Sequence, residues 1–463
     1  MAAGKGTRMK SKLPKVLHPL AGRALVHHVL ATAAALGARG AVLITGHGAE
    51  AVEAACMPSG GAAPSMALQF VRQQPQLGTG HAVQQAVPVL PDDGIVVVLS
   101  GDVPLTEVQT LRDLIALCAG SRLALLTLEL DDPAGYGRIV RAAKAAGEGG
   151  STAVQAIVEQ KDASAEQLRI REIYSGIMAV PARLLKGWLA RLDNRNAQNE
   201  YYLTDIVKFA VSDGVPVLAH RITDPVQVAG VNSPLQLAEL ERACQQRLAR
   251  QFMEQGVRLA DPARFDVRGD LHCGQDVAID VNCVFEGTVS LGDDVRIGAN
   301  CVIANATIAA GAVIHPFTHI DGEQSGVTVG EGALVGPFAR LRPGAVLGPQ
   351  VHIGNFVEVK NSTLARGAKA NHLAYLGDAT VGERVNYGAG SITANYDGAH
   401  KHRTVIGADV HVGSNCVLVA PITIGAGGTI GGGSTITKDT PPGALSVARG
   451  KQATIAGWRR PAK

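Results

Sequence analysis

Aromatic residues are scarce in this sequence. They make up 4% of its 463 residues, although hydrophobic residues of all kinds reach 46%. Valine, isoleucine, leucine and alanine must therefore build the core. Surfaces that bind nucleic acid present basic stripes with interleaved aromatic side chains. This sequence has no such stripe and a formal net charge of only +3, so we expect no nucleic-acid partner.

Paired cysteines and long apolar runs are also missing. The seven cysteines form no C-x-x-C pair, which predicts scattered reduced thiols in a cytoplasmic protein. No uninterrupted apolar run reaches about 18 residues and no signal peptide is recognisable, so we expect no membrane span. The chain is longer than one hydrophobic core usually allows, which predicts two or three domains.

The second half of the sequence repeats every six residues. Aliphatic residues recur at this spacing in two long runs, Val329, Val335, Leu341, Leu347, Ile353 and Val359, and then Ile406, Val412, Leu418, Ile424, Ile430 and Ile436. A period of six fits neither an α-helix nor an isolated amphipathic strand. It is typical of a hexapeptide-repeat β-helix, in which stacked coils share one aliphatic core.

The first half alternates between strand-like and helix-like segments. Strands are predicted at 41–45, 67–72, 95–99, 123–128 and 154–159, and helices at 24–36 and 81–89. This alternation favours a mostly parallel sheet with helices on both faces. Residues 234–256 are rich in helix formers and predict a linker helix that ends at Gly256. We therefore expect an α/β domain at 1–233, a linker helix at 234–256 and an all-β domain at 257–463.

Two glycines bracket a lysine at the start of the chain, in Gly4-Lys5-Gly6-Thr7-Arg8. Glycines let backbone N–H groups approach phosphate oxygens closely, and Arg8 and Lys15 add positive charge suited to a triphosphate. The spacing fits neither a Walker A loop nor a dinucleotide-binding loop. From the residues alone, a phosphate site and an ordinary glycine-rich turn both remain open.

Several motifs, taken in order, resemble those of the sugar-nucleotide pyrophosphorylases. The opening A-A-G-x-G-T-R followed by L-P-K is similar to their signature loop, and further matches lie at 73, 77–82, 100–105, 135–139, 157–159, 199–205 and 230–232. With the hexads attached, the whole chain resembles the bacterial enzymes that combine N-acetylglucosamine-1-phosphate uridylyltransferase with glucosamine-1-phosphate N-acetyltransferase. The resemblance implies a Rossmann-like nucleotidyltransferase domain followed by a left-handed parallel β-helix.

The resemblance implies that the first domain binds UTP and the UDP-sugar. Arg8 and Lys15 would act in catalysis, and the implied binding residues are Ala2, Ala3, Gly4, Lys15, Gln73, Gly78, Thr79, Ser100, Gly101, Asp102, Gly137, Glu159, Tyr174 and Asn232. Asp102, expected at the C-terminal end of a strand, suits Mg²⁺ on physical grounds, and Asn232 joins it by resemblance. The family commonly has asparagine at the position of Tyr174, so this sugar contact departs from its pattern.

The hexad register is interrupted between Val359 and Ile406. These residues are 47 positions apart, one short of a multiple of six. Interruptions of a solenoid commonly loop out on one face and carry a binding site. A harmless surface insertion is the alternative.

The interrupted region contains N-H-L-A-Y-L-G-D at 371–378, which resembles the acetyltransferase base motif. Acetyl transfer to an amine needs a base near neutral pH, and His372 is the predicted base. By the same resemblance glucosamine-1-phosphate is bound by Arg342, Lys360, Tyr375 and Asn386. Acetyl-CoA is bound by Ala389, Asn395, Tyr396, Ser414, Gly432 and Arg449. An arginine paired with a lysine suits a phosphomonoester dianion.

The implied enzyme acetylates glucosamine-1-phosphate and then transfers UMP from UTP, which releases pyrophosphate. The product, UDP-N-acetylglucosamine, would serve cell-wall and lipopolysaccharide synthesis. The resemblance also implies a homotrimer through the β-helices, with each acetyl-CoA site shared between subunits. Two other classes stay open: a nucleotidyltransferase whose hexads only assemble the oligomer, and a scaffold without enzymatic activity.

The start of the chain departs from the family. The nucleotide loop is usually preceded by a buried central strand of about seven residues, and Met1 stands where its last residue is expected. Without that strand, two neighbouring strands would lack a ladder partner. We expect the natural chain to be longer. The alternative is an acetyltransferase whose first domain is inactivated by the loss.

Overall fold

The computed structural model describes residues 1–57, 66–142 and 153–460 of the chain. The chain divides into two compact units, Met1–Cys244 and Gln245–Lys463. The division falls inside a helix of 21 residues, Pro234–Glu254. Within the described ranges, no helix combines the length and the apolar character that crossing a membrane demands.

The first unit alternates strands and helices as predicted. Its strands are β1 (Pro19–Leu20), β2 (Arg23–Ala24), β3 (Gly40–Thr45), β4 (Ala67–Arg72), β5 (Ile95–Val98), β6 (Leu123–Glu129), β7 (Arg138–Arg141), β8 (Val154–Val158), β9 (Glu172–Pro181) and β10 (Val217–Ile222). Its α-helices are α1 (Leu25–Ala35), α2 (Ala49–Cys56), α3 (Thr79–Ala86), α4 (Val108–Cys118), α5 (Ala182–Leu189) and α6 (Ile206–Ser212). Every strand and helix proposed from the sequence of this unit is present, with small shifts at its ends.

The main sheet of this unit is mixed rather than mostly parallel. Its order is β10-β6-β9-β7-β8, and β5 pairs with the other end of β9. β10 runs parallel to β6, but β9 runs antiparallel to β5, β6 and β7, and β7 runs antiparallel to β8. The expectation was wrong because β9, at the centre of this sheet, runs opposite to the three strands with which it pairs, and a hydrophobic pattern does not by itself set strand direction.

The centre of the main sheet is buried on both faces. In β6, Leu123 and Leu125 pack with Met178 of β9 in one core, whereas Leu126 packs with Ile177 of β9 in the other. All five of these side chains are fully buried. A strand covered on both faces reads as a continuous apolar run, which is why 123–128 was recognisable in the sequence.

β3 and β4 form a separate parallel pair, and Met1 and Ala2 lie between this pair and β5. On one side the nitrogen of Met1 donates to the carbonyl oxygen of Leu99 at 2.7 Å, and Gly101 N donates to Met1 O at 2.8 Å. On the other side Ala2 N donates to Ile44 O at 2.8 Å. These two residues therefore hold the place of a strand between β3 and β5.

The linker helix α7 (Pro234–Glu254) ends where the sequence indicates. Gly256 has a left-handed φ of +96°, and its N–H donates to Met253 O at 3.0 Å. The N–H of Val257 then donates to Phe252 O at 3.0 Å. This arrangement satisfies the last carbonyls of the helix and requires the positive φ that glycine tolerates.

The second unit is a parallel β-solenoid with three faces. Its strands are β11 (Arg258–Leu259), β12 (Phe265–Cys273), β13 (Ala278–Ile279), β14 (Cys283–Leu291), β15 (Arg296–Ile297), β16 (Val302–Ile308), β17 (Val313–Ile314), β18 (His319–Asp321), β19 (Val327–Val329), β20 (Leu334–Val335), β21 (Arg340–Leu341), β22 (Val346–Leu347), β23 (His352–Asn355), β24 (Glu358–Lys360), β25 (Thr363–Leu364), β26 (Lys369–His372), β27 (Tyr375–Gly377), β28 (Ala379–Val381), β29 (Asn386–Tyr387), β30 (Ile392–Ala394), β31 (Thr404–Ile406), β32 (His411–Val412), β33 (Val417–Val419), β34 (Ile422–Ile424), β35 (Thr429–Ile430), β36 (Thr435–Ile436) and β37 (Leu445–Ser446).

Each face stacks one strand from every coil. The first face runs β11-β13-β15-β17-β20-β23-β26-β29-β32-β35-β37, the second runs β18-β21-β24-β27-β30-β33-β36, and the third runs β19-β22-β25-β28-β31-β34. The hexad residues of one coil, such as Val335, Leu341 and Leu347, point into the shared core and are at most 1% exposed. The left-handed β-helix of hexads is thus the observed architecture of this half.

Unequal coils explain the slip in the hexad register. A regular coil has 18 residues, as between the paired residues Val335 and Ile353. The next two coils, which end at Ala370 and Tyr387, are one residue shorter each, and the following coil reaches Val412 only after 25 residues. The extra residues form an insertion loop at 395–403, between β30 and β31.

Candidate active sites

The glycine-rich start of the chain lies against Lys15. Ala2 and Ala3 are buried, whereas Gly4 and Arg8 are exposed. Gly6 has a φ of +59°, and a Cβ at this position would lie 2.8 Å from the Cβ of Lys15. A side chain here would push the loop away from the lysine, so glycine is required. The loop leaves backbone N–H groups available for phosphate oxygens.

Lys15 joins the two residues predicted to bind a metal ion. Its ammonium forms an ion pair with Asp102 and also donates to Asn232 Oδ1 at 3.2 Å. The side chains of Lys15 and Asp102 are only 14% and 18% exposed. A positive charge therefore already lies between a carboxylate and an amide oxygen, which are ligand types that Mg²⁺ prefers. Elsewhere in the described ranges, no group of three His, Cys, Asp or Glu side chains is arranged for a metal ion.

A cavity of about 780 Å³ lies beside the loop. Lys5, His47, Gln73 and Gln76 contribute to its lining. Gln73 is 5% exposed and its Nε2 donates to Gly78 O at 2.9 Å, so the amide is held in one orientation. Gln76 was missed in the sequence, although its Nε2 donates to the carbonyl oxygen of Ala3 and ties the cavity to the loop.

Backbone demands account for several of the predicted nucleotide residues. Gly78 has a φ of +107°, and a Cβ there would lie 2.6 Å from the carbonyl oxygen of Tyr201. Thr79 opens α3, and its Oγ1 accepts a hydrogen bond from Leu203 N at 3.1 Å. A Cβ built on Gly176 would lie 3.6 Å from Oγ of Ser100. The predicted segments are thus a helix start at 77–82 and a turn at 100–105, in which small residues allow neighbouring segments to approach closely.

Glu159, Gly137 and Tyr174 form a second group. A Cβ on Gly137 would lie 3.7 Å from both carboxylate oxygens of Glu159, and Thr204 Oγ1 donates to Glu159 Oε1 at 2.9 Å. Burial raises the pKa of Glu159, the Thr204 hydrogen bond opposes that rise, and the carboxylates of Asp205, Asp162 and Glu200 add to it. Glu159 and Thr204 also line a cavity of about 260 Å³.

The hydroxyl of Tyr174 is buried and has no hydrogen-bond partner among the described residues. Burial, with a further contribution from the negative charge of Glu159, raises the pKa of this phenol well above its ordinary value. A buried hydroxyl without a partner costs free energy. This hydroxyl stands at the position where the family commonly has asparagine.

Four predicted residues of the second unit form a corner column, one from each of four successive coils: His372, Ala389, Ser414 and Gly432. Each lies two positions after one of the core residues Ala370, Tyr387, Val412 and Ile430, which pair in sequence. The backbone N–H of Asn415 donates to Ala389 O, and that of Gly433 to Ser414 O, both at 2.8 Å. Residues spread over 60 positions of sequence are therefore direct neighbours.

Side chains become small along the corner column beyond His372. The same corner holds Pro337 and Asn355 in the two preceding coils, but alanine, serine and glycine in the three that follow. At the adjacent position, Phe356 and Leu373 are followed by Gly390, Asn415 and Gly433. The corner column beyond His372 therefore carries less side-chain volume than the same corner of the preceding coils.

His372 lies exposed, outside the aliphatic core. Its Nδ1 is 2.7 Å from Oδ1 of Asn355, in the preceding coil. An amide oxygen can only accept, so Nδ1 carries the proton of the neutral ring and Nε2 is left as an acceptor. That is the tautomer a general base needs. Asn355 was not singled out in the sequence as a site residue.

Three cationic side chains lie close together around Lys360. The Lys401 ammonium beside Lys360 lowers the pKa of Lys360, burial adds to that effect, and Arg342 contributes a smaller repulsion. Arg342 also donates to Glu358 Oε1 at 2.8 Å. Neighbouring ammonium groups repel one another, and an anion bound between them would relieve that repulsion. The cluster of Arg342, Lys360 and Lys401, here called the cationic clamp, is therefore suited to a phosphate.

Lys401 comes from the insertion loop, which is folded on itself. Tyr396 and Lys401 form an antiparallel bridge, and His402 Nε2 lies 2.7 Å from Oδ2 of Asp397. The backbone N–H groups of His400 and Ala399 also donate to Asp397 Oδ1. The loop thus presents Lys401 in a defined position. The sequence marked this region as an interruption, but it could not show which of its side chains reaches Lys360.

Tyr375 and Asn386 are held by different means. The hydroxyl of Tyr375 lies over Gly377, where any Cβ would collide with it. Asn386 Nδ2 donates to Nδ1 of His411, in the next coil, at 3.1 Å. Because the amide nitrogen is used in this way, Asn386 Oδ1 is left as an acceptor for a donor on a ligand.

The remaining predicted residues lie at the loop and at the tail. Asn395 is 8% exposed, and its Nδ2 donates to the carboxylate of Asp378. Tyr396 is 62% exposed. The guanidinium of Arg449 donates to the carbonyl oxygen of Gly432 at 2.6 Å, so the tail reaches the far end of the corner column.

Family comparisons cover both units. The model of the MobA-like NTP transferase domain matches residues 1–256, and that of the GMPPB C-terminal domain matches residues 323–426. The chain is 77% identical to the bifunctional protein GlmU of Polaromonas naphthalenivorans, over all of this chain and 97% of that protein. It is 74% identical to the GlmU of Albidiferax ferrireducens, over all of this chain and 99% of that protein. The GlmU of Aromatoleum aromaticum is 55% identical over all of this chain and 98% of its own.

Proposed function

Because this chain belongs to the bifunctional GlmU family, we propose that it acetylates glucosamine-1-phosphate and then joins the product to UMP. The first reaction takes the acetyl group of acetyl-CoA, and the second uses UTP and releases pyrophosphate. The observation that carries the proposal is the corner column, since it places a histidine with an orienting partner at the start of a row of small residues. The N-terminal loop with Lys15 and Asp102 supplies the second site.

In acetyl transfer, the neutral amine of glucosamine-1-phosphate attacks the thioester carbonyl carbon. A carbon–nitrogen bond forms, the carbon–sulfur bond breaks and coenzyme A leaves as a thiolate. Nε2 of His372 takes the proton that the amine loses, and Asn355 keeps the ring in the required tautomer. The cationic clamp holds the sugar phosphate, whose negative charge offsets the repulsion between Lys360 and Lys401.

Acetyl-CoA would lie along the corner column. The small side chains of Ala389, Ser414 and Gly432 leave room for the pantetheine arm, and Arg449 lies at the far end, where a negatively charged group would meet it. Asn395 and Tyr396 lie in the neighbouring insertion loop. Tyr375 and Asn386 would hold the sugar, because each offers an oxygen to a hydroxyl group.

In uridylyl transfer, a phosphate oxygen of N-acetylglucosamine-1-phosphate attacks the α-phosphorus of UTP. The reaction joins two anions, so positioning and charge neutralisation dominate catalysis. Arg8 and Lys15 neutralise the triphosphate, and Lys15 would exchange Asp102 for phosphate oxygens. Asp102 and Asn232 offer one carboxylate and one amide oxygen, which fit Mg²⁺, and when bound this ion supplies further positive charge to the triphosphate.

The sugar-nucleotide contacts that we propose lie in the first unit. The cavity lined by Gln73 would take the uracil, and the backbones of Ala2, Ala3 and Gly4 would line the nucleotide side. Glu159, Gly137 and Tyr174 would face the N-acetylglucosamine. We also propose that the nucleotidyltransferase domain ends at residue 233 and that the linker helix ends at residue 256.

We place the protein in the cytoplasm, since its co-substrates are cytoplasmic metabolites and all seven cysteines are free. We also propose a homotrimer. Phe317, Phe338 and Phe356 stack at 4.9 and 5.4 Å between ring centroids, and Leu373 continues the row in the next coil. All four side chains of this apolar ladder are 48–60% exposed. A continuous apolar strip of this kind favours association, and second copies of the chain are the natural occupants.

Separate assays of the two half-reactions test the proposal. We expect the full chain to acetylate glucosamine-1-phosphate with acetyl-CoA, and to release pyrophosphate from UTP and N-acetylglucosamine-1-phosphate. His372→Ala should lower acetyl transfer by about 10²–10⁴-fold and leave pyrophosphate release intact, whereas Asp102→Asn should do the reverse. Undiminished acetyl transfer by His372→Ala would overturn the assignment of the base. Absence of both activities in the native chain would favour a scaffold.

A further inference from the structure

A buried carboxylate lies between the two substrate regions of the acetyl-transfer site. Asp378 is 7% exposed and occupies one corner of the solenoid, directly between Asn361 of the preceding coil and Asn395 of the following coil. Asn361 Nδ2 donates to Oδ1 of Asp378, and Asn395 Nδ2 donates to Oδ2. The carboxylate is therefore satisfied on both sides by neutral amides.

Asp378 is also tied to the cationic clamp. Its backbone N–H donates to the carbonyl oxygen of Lys360 at 3.1 Å. Its negative charge stabilises the Lys360 ammonium and opposes the destabilising effect of Lys401. Removing a charge from water is costly unless hydrogen bonds and opposite charges compensate, and here two amides and a nearby cation do so. In return, the carboxylate keeps two neighbouring cations compatible with each other before a phosphate arrives.

We propose that Asp378 is a positioning residue of the acetyltransferase. One carboxylate holds Asn395 at the acetyl-CoA side and steadies Lys360 at the glucosamine-1-phosphate side. The inference rests on the function proposed above for Asn395 and Lys360. Asp378 is covered by its neighbours, so it acts through them rather than by touching a substrate. Its loss should therefore weaken the binding of both substrates together.

The test is Asp378→Asn in the full chain. The new amide has only one oxygen for two amide donors, so one hydrogen bond is lost together with the charge. We expect KM for glucosamine-1-phosphate and KM for acetyl-CoA each to rise by about tenfold or more, with a smaller change in kcat. Uridylyl transfer by the same preparation is the internal control and should stay unchanged. A rise in only one KM, or both values within about twofold of the native ones, would overturn the inference.

A matched double variant separates positioning from simple loss of packing. Asp378→Asn combined with Asn361→Asp keeps the same atoms and the same net charge. Residue 378 can then accept from Asn395 and donate to the new carboxylate at 361, so every hydrogen bond is satisfied. We expect both KM values to return to within about threefold of the native enzyme. A double variant no better than the single one would contradict the proposed role.

A milder variant covers the case in which Asp378→Asn does not fold. Asn361→Ala leaves the carboxylate in place with one amide donor, and both KM values should then rise by about two- to fivefold. Unchanged or one-sided KM values would overturn the inference. The native chain separates the two levels of the argument. A native chain without acetyl transfer rejects the proposed function, whereas an active native chain with unaffected variants rejects only the role of Asp378.

Discussion

Asn355 Oδ1 lies 2.7 Å from Nδ1 of His372, across one step of the solenoid. The bond fixes the tautomer of a histidine that stands exposed at a corner. Asn355→Leu removes the acceptor while keeping a similar volume, so we expect kcat for acetyl transfer to fall by about 10–100-fold with little change in either KM. A steady-state comparison of kcat and KM checks this. Equal losses in kcat and in affinity would point to a structural defect instead.

Asn355→Asp gives the same pair a different test. A carboxylate beside the imidazole stabilises its protonated form, which raises the pKa of His372. The base is active only when neutral, so the acidic limb of the pH–rate profile should move to higher pH. Rate measurements across about pH 5–9 locate that limb. A limb that does not move would show that Asn355 is not the orienting partner.

Lys401 should matter for one substrate only. Lys401→Ala removes one charge from the cationic clamp, and we expect KM for glucosamine-1-phosphate to rise by about tenfold while KM for acetyl-CoA stays constant. Lys438→Ala, at an exposed lysine outside the site, is the matched control. A parallel rise in both KM values would place Lys401 with Asp378 rather than in the clamp.

Glu159 should make stability depend on pH in a definite direction. Burial raises its pKa in the folded protein, so folding favours the protonated carboxyl. This contribution is fully present below the pKa of the unfolded chain, about 4.3, and is lost as pH rises through the folded pKa. Glu159→Gln removes it. We therefore expect the Tm difference, variant minus native, to be more positive at pH 7 than at pH 4.

Calorimetry of the Glu159→Gln variant across that range gives the answer for the first unit, with Glu166→Gln as an exposed control. The control should show no such trend. A Tm difference that stays constant from pH 4 to pH 7 would mean that the carboxyl of Glu159 is not destabilised by its surroundings.

The small side chains of the corner column beyond His372 can be enlarged in graded steps. A Cβ on Gly432 would lie 3.4 Å from the carbonyl oxygen of Ser414, an ordinary contact, so Gly432→Ala should change KM for acetyl-CoA by less than about twofold. Ala389→Phe places a large side chain beside the base and should raise KM for acetyl-CoA by more than about tenfold. Measured KM for glucosamine-1-phosphate should change less. Equal tolerance of both variants would show that the ligand follows another path.

The apolar ladder predicts an oligomer that one charge can weaken. Phe338 stacks between Phe317 and Phe356 and is 48% exposed. Phe338→Asp would bury a charge in any interface formed there, so we expect dissociation toward monomers in sedimentation velocity. Leu235→Asp, at a residue 69% exposed on α7, is the control and should leave the assembly intact. A native chain that sediments as a monomer would reject the proposed trimer.

Most of the fold could be predicted from the sequence, because each class of hydrophobic core has its own spacing of apolar residues. Residues such as Val335, Leu341 and Leu347 must be aliphatic at every sixth position to fill the solenoid, so the hexads predicted its coils directly. The mixed sheet of the first unit was not predicted. Strand direction depends on the connections between strands, and β9 is an almost continuous buried run that looks the same in either direction.

The residues of the candidate sites could be predicted only where they fall within a recognised motif. His372, Ala389, Ser414 and Gly432 came from resemblance, and the strand registers make them neighbours. Asn355 and Lys401 lie outside the base motif. Two residues on neighbouring coils meet only if their separation in the sequence equals the length of the coil. Here coils of 17 and 25 residues interrupt the regular 18, and a six-residue period does not predict those lengths. Side-chain neighbours on a solenoid therefore need coordinates.

Although the coils differ in their number of residues, their strands stack at a constant distance, so the residues of the corner column are evenly spaced. Neighbouring parallel strands lie about 4.8 Å apart, so the distance from His372 to the far end of the column is a whole number of such steps. The length that the corner column offers to a ligand is therefore set by the number of coils. Inserting or deleting a complete coil would change the length of the corner column by one strand spacing and would leave the surroundings of His372 unchanged.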